Sequence, residues 1–396
     1  MKITNVRSWI TKIPWDHNPG AGVVRDPGKR AFIFVQVETD EGINGWGEVT
    51  TYPGPMANRS MASYIDQMGT SLRGEDPANI ERLWHKLFRW MTYVGTRGAT
   101  SAAISAIDIA LWDIRGKVLG QPIYQLLGGP VRDRIALYCH PYKPTSVETI
   151  TASAREIVAS GFQAFKLDPM LHNLPGGNEG YLDGEISPDA EAEAMDILAA
   201  ARAAAGPKTE IMIDAHGLYN VPTAVRLANK MAAYNIHWFE EPVPVESWKA
   251  LKQVREQVGV RICVGERLHT RWDFVPIFEN GLADFVMPDV TWAGGISELK
   301  KIATMAEAYY IPISPHDASG PINVIAGAQV MMTVPNFYKL EVNRYDLSGY
   351  NVLIDQPLDI RQGHLYVPDR PGLGIELNVD ALRRYEVSLD EAANNY

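Results

Sequence analysis

The sequence predicts an α/β protein in which a (β/α)₈-type barrel carries an N-terminal α+β capping domain that the C-terminal tail completes. Three observations lead to this fold class. From about residue 134, eight short apolar runs alternate with helical patterns, as in a barrel of parallel strands. Polar or charged residues stand at the ends of most of these runs, whereas the first 130 residues follow a different pattern. At 396 residues, the chain is long enough for both parts.

Residues 1–130 form the predicted capping domain. Alternating residues at 2–13 and 31–39 predict two antiparallel strands, and the turn-rich loop between them is long enough to act as a lid. Helical patterns follow at 60–72, 77–89 and 100–119, and Gly120 is expected to end the last helix. Residues 50–56 are expected to be exposed and to form the other lip of a cleft.

Residues 131–342 form the predicted barrel, whose active site belongs at the carboxyl ends of the strands. Between the second and third strands, Ser187 is the predicted cap of a helix that begins at Pro188 and ends before Gly206. The eight predicted strands are residues 134–140, 164–169, 210–216, 236–242, 261–266, 284–289, 310–316 and 338–342.

Two stretches depart from this regular alternation. Residues 170–187 are far longer than a usual connection between a strand and a helix, and we expect them to contribute to substrate specificity. Residues 343–396 regain a strand-like pattern and are expected to return to the capping domain.

Composition narrows the class of protein and its partners. Hydrophobic residues make up 46% of the chain and charged residues 21%, which is typical of a globular protein. A net charge of −10 without a basic stripe argues against nucleic acid as the partner. No apolar run is long enough for a membrane span, and the start of the chain alternates like a strand, so we expect a cytoplasmic protein. Cys139 and Cys263 lie in apolar runs and are predicted to be core residues.

Three acids at strand ends form the strongest pattern in the chain. Asp214, Glu240 and Glu266 recur at an equal interval (240 − 214 = 266 − 240 = 26), about the length of one strand, one helix and two loops. Neighbouring strands lie ~4.8 Å apart, so the three carboxylates can converge on one point, where a divalent cation would relieve their repulsion. Oxygen ligands without thiolates favour Mg²⁺ over Zn²⁺. Alternation along the strand directs only one of Glu240 and Glu241 into the site.

Other strand ends carry side chains suited to proton transfer. Asp289 on the sixth strand would orient His316 on the seventh and raise its basicity. A cation beside this pair suits removal of a proton next to a carboxylate. Lys166 is predicted to place positive charge beside the carboxylate of the bound substrate, so that the ion and Lys166 stabilise the enediolate that develops. His216 and Glu341 complete the set of strand-end residues.

The chain contains the motifs AFKLD, MIDAHG, WFEEP, VGERL, MPDVTWAGGI and SPHDASGP and the segment IDIALWDIRGKVLGQPIYQLLGG. By these motifs it resembles the mandelate racemase subgroup of the enolase superfamily over nearly its whole length. Within the subgroup, the chain is most similar to the acid-sugar dehydratases of the galactonate type, because a histidine lies two positions after the first metal-binding aspartate.

The resemblance implies a role for each of these residues. Asp214, Glu240 and Glu266 would bind one Mg²⁺, Asp289 and His316 would be the acid/base pair, and His216 would protonate the departing β-hydroxyl. Glu341 would bind the carboxylate of a sugar-acid substrate. The resemblance also implies a homo-oligomer, a dimer or an octamer, and selection of the substrate by loops of the cap near residues 15–25 and 50–56.

One position departs from the family pattern. Many relatives carry a second lysine two residues after Lys166, where this chain has Asp168, so a one-base mechanism is favoured over two-base racemisation. Asp168 is predicted instead to contact a substrate hydroxyl. The main hypothesis is a Mg²⁺-dependent dehydratase that yields a 2-keto-3-deoxy acid. An epimerase, racemase or cycloisomerase acting through the same enediolate is the alternative, and a non-catalytic binding protein ranks last.

Overall fold

The computed structural model describes residues 1–13, 30–51, 55–141, 145–170, 183–317 and 319–388. Several expectations fall outside these ranges. They concern the loop between the first two strands, the centre of the cap segment at 50–56, and most of the long loop at 170–187. No helix of the described residues combines the length and the apolar character that crossing a membrane requires.

The capping domain is a three-stranded antiparallel sheet covered by helices. Its strands are β1 (Ile3–Ile13), β2 (Arg30–Thr39) and β3 (Gly45–Val49). Its helices are α1 (Pro55–Leu72), α2 (Ile80–Trp90), α3 (Ala99–Leu119) and α4 (Ile123–Leu126). The left-handed residue Gly120 ends α3, as predicted.

Strand β3 was not among the predicted strands. Its sequence, GWGEV, includes two glycines, which disfavour strands unless a neighbour must approach closely. Here α3 makes that approach, because a Cβ on Gly45 or Gly47 would lie about 2 Å from backbone oxygens of Ala110 or Ala106. The expectation that residues 50–56 are exposed is wrong for Thr50, which follows β3 and is 5% exposed.

The barrel consists of parallel strands surrounded by helices. Its strands are β4 (Ile135–Cys139), β5 (Ala164–Leu167), β6 (Glu210–Asp214), β7 (Phe239–Glu240), β8 (Ile262–Val264), β9 (Phe285–Val286) and β10 (Leu340–Val342). Its helices are α5 (Val147–Ala159), α6 (Pro188–Ala205), α7 (Val221–Met231), α8 (Trp248–Gln257), α9 (Thr270–Asn280), α10 (Gly295–Ala308) and α11 (Pro321–Met331). The side chain of Ser187 accepts from the nitrogen of Ala190 and caps α6, as predicted.

The seventh predicted strand is present only as isolated parallel bridges. Ile313 pairs with Val286 at the end of β9 and with Phe337 shortly before β10, and β10 pairs with β4. Pairing therefore runs around the whole ring. Inside it, large side chains from several strands, among them Tyr138, Trp238 and Phe285, form a buried cluster.

The C-terminal segment contacts both parts of the protein. Its elements are α12 (Leu347–Leu353), β11 (Ile360–Arg361), β12 (His364–Leu365) and α13 (Val379–Arg384). Strand β12 pairs with β4 of the barrel, whereas Glu386 forms a bridge with Thr11 in β1 of the cap. The C-terminal segment therefore contacts the first strand of the cap.

Candidate active site

The carboxyl ends of β6, β7 and β8 bring three acids together. Asp214 and Glu240 end their strands and are direct partners across the sheet, and Glu266 lies two residues beyond β8. One carboxylate oxygen of each residue lies within 4.8 Å of the others. This cluster is the one that the equal spacing in the sequence predicts.

The donor set fits Mg²⁺. The ion prefers oxygen ligands at ~2.1 Å, so two ligand oxygens are at most ~4.2 Å apart, and the three carboxylates, with oxygens within 4.8 Å of one another, lie near enough to share one ion. Burial raises the pKa of Glu240 well above its usual range, and the charge of Asp214 adds to the effect. A divalent cation would relieve this repulsion.

Lys166 on β5 lies beneath the acids and is almost completely buried. Its Nζ is 2.5 Å from Glu240 Oε1, 2.9 Å from Glu341 Oε1 and 3.2 Å from Asp214 Oδ2. Burial lowers the pKa of Lys166, but the three carboxylates outweigh it and hold that pKa well above its usual range. The lysine is therefore a shared counter-ion of the acids, and its predicted contact with substrate stays a prediction.

Glu341 on β10 is held by several donors from the protein. Tyr138 donates its hydroxyl to Oε2 at 3.0 Å, and the backbone nitrogen of Asp317 donates to the same oxygen at 3.1 Å. The ring of His140 donates to Oε1 at 2.5 Å. Burial raises the pKa of Glu341, but the charges of Lys166 and other neighbours hold it well below its usual range. Glu341 therefore keeps its negative charge in the site.

His316 and Asp289 form a hydrogen-bonded pair. His316 Nδ1 donates to Asp289 Oδ2 at 2.8 Å, which leaves Nε2 directed toward the acids, 3.3 Å from Glu266 Oε2. Burial lowers the pKa of His316, but the charge of Glu341 and the bond to Asp289 raise it to about 10. The ring is 13% exposed and therefore lies at the wall of the site.

Asp289 is surrounded by donors. Its Oδ1 accepts from both the backbone nitrogen and the hydroxyl of Thr291 at 2.7 Å, and from Asn323 Nδ2 at 3.2 Å. The side chain of Asp289 is fixed on both oxygens, because its other oxygen binds His316.

A second histidine and aspartate pair lies on the other side of the acids. His216 Nδ1 donates to Asp168 Oδ2 at 2.8 Å, and Nε2 lies 3.4 Å from Asp214 Oδ2. Asp168 Oδ1 accepts from the nitrogen of Met170. Burial lowers the pKa of His216, but the charge of Asp214 and the bond to Asp168 raise it to about 9. Asp168 thus has a partner within the protein that the sequence did not indicate, and its predicted contact with substrate remains untested.

The structure separates the adjacent acids Glu240 and Glu241. Glu240 joins the cluster, and its Oε2 accepts from Trp238 Nε1 at 2.9 Å. Glu241 turns away, accepts from the nitrogen of Gly265 at 2.8 Å, and has a left-handed φ of 42°. It therefore supports the backbone that leads to Glu266.

His140 and Trp238 both contact the acids of the site, and neither has a role that the sequence predicts. His140 stands one residue beyond β4, at the same level as the other strand-end residues. Trp238 precedes Glu240 by two positions, so alternation places both side chains on the inner face of the barrel. Applying the strand-end rule to all eight strands would have found His140.

Two family models cover most of the chain. Residues 6–128 match the N-terminal domain of the mandelate racemase / muconate lactonizing enzyme family, and residues 149–381 match the enolase C-terminal domain-like family. The predicted resemblance is confirmed.

Individual relatives also match this chain over most of its length. A D-xylonate dehydratase of Haloferax volcanii is 34% identical over 91% of this chain and 86% of its own length. A D-galactarolactone cycloisomerase of Agrobacterium fabrum is 33% identical over 98% of this chain and 99% of its own. A solved mandelate racemase/muconate lactonizing enzyme-like protein of Rubrobacter xylanophilus superposes with a TM-score of 0.86 at 32% identity, over 98% of both chains.

Proposed function

We propose a function from one premise: this chain belongs to the mandelate racemase / muconate lactonizing enzyme family of the enolase superfamily. The protein is a hydro-lyase that removes water from a sugar acid and yields a 2-keto-3-deoxy acid. The observation that carries the proposal is the placement of two histidine and aspartate pairs on opposite sides of one acidic cluster. Dehydration needs a base at the α-carbon and an acid at the β-hydroxyl, and the two pairs supply both.

His316 is the base. Its Nδ1 hydrogen is committed to Asp289, so Nε2 takes the α-proton while the electrons of the broken C–H bond move into the substrate carboxylate. Asp214, Glu240 and Glu266 would hold Mg²⁺, which would supply positive charge to stabilise the enediolate. A metal ion would also neutralise Glu266, whose charge is one of those that raise the pKa of His316. The loss of that charge favours the neutral ring that a base requires.

His216 is the acid. The charge of Asp214 and the bond to Asp168 raise the pKa of His216 to about 9. A metal ion would offset the charge of Asp214, whereas the bond to Asp168 remains and favours the protonated ring, which can donate a proton to the β-hydroxyl as the C–O bond breaks. Water leaves, and the enol that remains tautomerises by losing its hydroxyl proton and gaining a proton at C3, which gives the 2-keto-3-deoxy acid. Lys166 stays the buried cation that balances the charge of Glu341 and of the acidic cluster.

The test is a screen of aldonic and aldaric acids, starting with D-xylonate, with and without Mg²⁺. The expected product is a 2-keto-3-deoxy acid, detected with a carbonyl reagent, and chelation of the metal should abolish its formation. Running the reaction in D₂O follows exchange at the α-carbon at the same time.

Two outcomes would contradict the proposal. Exchange at the α-carbon without a keto product would favour the epimerase, racemase or cycloisomerase, an alternative supported by the relative that is a cycloisomerase. Mg²⁺ binding without exchange or turnover of any acid would favour a binding protein. A cytoplasmic location and a homo-oligomeric state stay predictions.

A further inference from the structure

Strand β3 of the cap presents alternate residues to different partners. Gly45 and Gly47 face α3, where no side chain would fit. The side chains of Glu48 and Thr50 point the other way. They contact the barrel between the seventh strand position and the first turn of α11. Thr50 approaches the aspartate that binds the base, because its hydroxyl lies 3.4 Å from Asp289 Oδ2.

The hydroxyl of Thr50 contacts two other hydroxyls. It lies 2.5 Å from Thr291 Oγ1 and 2.6 Å from Ser319 Oγ. Thr291 has a single hydroxyl hydrogen, which it donates to Asp289 Oδ1 at 2.7 Å, so Thr291 must accept from Thr50. Thr50 in turn must accept from Ser319. The result is a directed chain of three hydroxyls that ends on the carboxylate of Asp289.

This chain strengthens the last hydrogen bond and restricts the carboxylate. Each hydroxyl that accepts a hydrogen bond becomes a better donor to the next group, and the effect is larger where water is excluded. Thr50, Thr291 and Ser319 are all buried. Asp289 Oδ2 is therefore held in the position from which it binds His316 Nδ1.

Glu48 fixes the same region from two residues away. Its Oε2 accepts from the backbone nitrogens of Ile322 and Asn323 at 3.0 Å, in the first turn of α11. A carboxylate at this end of a helix is favoured by the helix dipole. Gly320 leaves the space for it, because a Cβ there would lie 2.2 Å from Glu48 Oε1. Asn323, fixed in this way, donates its side chain to Asp289.

We propose that Thr50 of the cap is a positioning residue for the pair of Asp289 and His316, so that the orientation of the base depends on the capping domain as well as on the barrel. The proposal rests on the proposed function, because that function makes His316 the base. It adds a residue from outside the barrel to the support of the proton-transfer machinery.

The test compares Thr50→Val, which removes the hydroxyl and keeps the shape, with Thr50→Ser, which keeps the hydroxyl. Thr39→Val is the matched control, since Thr39 is also buried in the cap but donates to the backbone oxygen of Ile43, away from the barrel. We expect Thr50→Val to lower kcat on the order of tenfold at nearly unchanged KM. Thr50→Ser should restore most of the loss, and Thr39→Val should keep the wild-type rate.

A second readout does not depend on the substrate. In protein labelled with ¹⁵N in its histidine rings, the Nδ1–H resonance of His316 is identified by its loss in His316→Asn. Thr50→Val should shift this resonance, whereas Thr39→Val should not.

The two readouts separate the proposal from the proposed function. If the wild type dehydrates no sugar acid, the proposed function fails, and the shift of the resonance alone decides whether Thr50 positions the pair. A Thr50→Val protein with the wild-type kcat and an unshifted resonance would overturn the positioning role. Equal losses in Thr50→Val and Thr39→Val, or no recovery in Thr50→Ser, would also overturn it.

Discussion

The two histidine and aspartate pairs beside the acidic cluster have the same 2.8 Å hydrogen bond but very different surroundings. The pair at His316 is nearly buried, with a ring that is 13% exposed, and Asp289 receives further donors from other parts of the barrel. The pair at His216 is more open, because its ring is 38% exposed.

The backbone differs as well. His216 has a left-handed φ of 49°, and its nitrogen donates to Asp214 Oδ1 at 2.9 Å. Such a conformation costs energy in a residue other than glycine, and residues held in it often occur at functional sites. His216 is thus held by its own turn and by Asp168, whereas His316 is held by a network that extends into the cap.

This difference suits two different tasks. Removal of a proton from carbon requires a base at a fixed distance and angle, because a small displacement lowers the rate strongly. Protonation of a leaving hydroxyl starts from an oxygen that already accepts hydrogen bonds, so the acid tolerates more freedom. We therefore assign the rigid pair to the base and the open pair to the acid.

The largest effect is expected from His316→Asn. Loss of the base should lower both α-proton exchange and dehydration by roughly a thousandfold, since both reactions begin with the same proton removal. Exchange is measured by NMR in D₂O and dehydration by the keto product. Affinity for Mg²⁺, measured by calorimetry, should stay near that of the wild type. Wild-type turnover in His316→Asn would contradict the assignment of His316 as the base.

The strand-end residues could be predicted from the sequence, whereas most of the contacts that hold them in place could not. The acids at positions 214, 240 and 266 follow from a repeat that is visible along the chain. Asp168 and His216 are 48 positions apart, and Thr50 and Asp289 are 239 apart. Contacts at such separations depend on the packing of the whole fold, and no local pattern marks them.

The same distinction explains the errors in the fold. Strand β3 was missed because its glycines are favourable only beside α3, in contacts between residues 59 and 65 positions apart (106 − 47 and 110 − 45). The barrel strands were predicted to be longer than they are, because apolar character continues into the loops where pairing has already ended. The seventh, at Ile313, retains only single bridges.

A smaller and more selective effect is expected from His216→Asn. Asparagine tolerates the left-handed backbone of this position, so the turn at Asp214 should be kept. Without the acid, dehydration should fall roughly a hundredfold while exchange at the α-carbon continues. The ratio of the two rates is the measurement. An equal fall in both rates would show that the two pairs do not have separate roles.

The smallest of the three effects is expected from Asp168→Asn, which tests whether Asp168 orients His216 or contacts a substrate hydroxyl. The charge of Asp214 and the bond to Asp168 both raise the pKa of His216, and an asparagine keeps the shape but removes the charge of the second. If Asp168 orients the acid, kcat for dehydration should fall roughly tenfold at unchanged KM, and exchange should be unaffected.

The matched comparison is Asp289→Asn, which removes the corresponding charge from the other pair. It should lower exchange and dehydration together, because Asp289 supports the base, whereas Asp168→Asn should lower dehydration alone. A rise in KM with unchanged kcat in Asp168→Asn would assign the residue to the substrate instead. In that case His216 would be oriented by its backbone turn and by Asp214. The two pairs would then differ in the role of their aspartate as well as in rigidity.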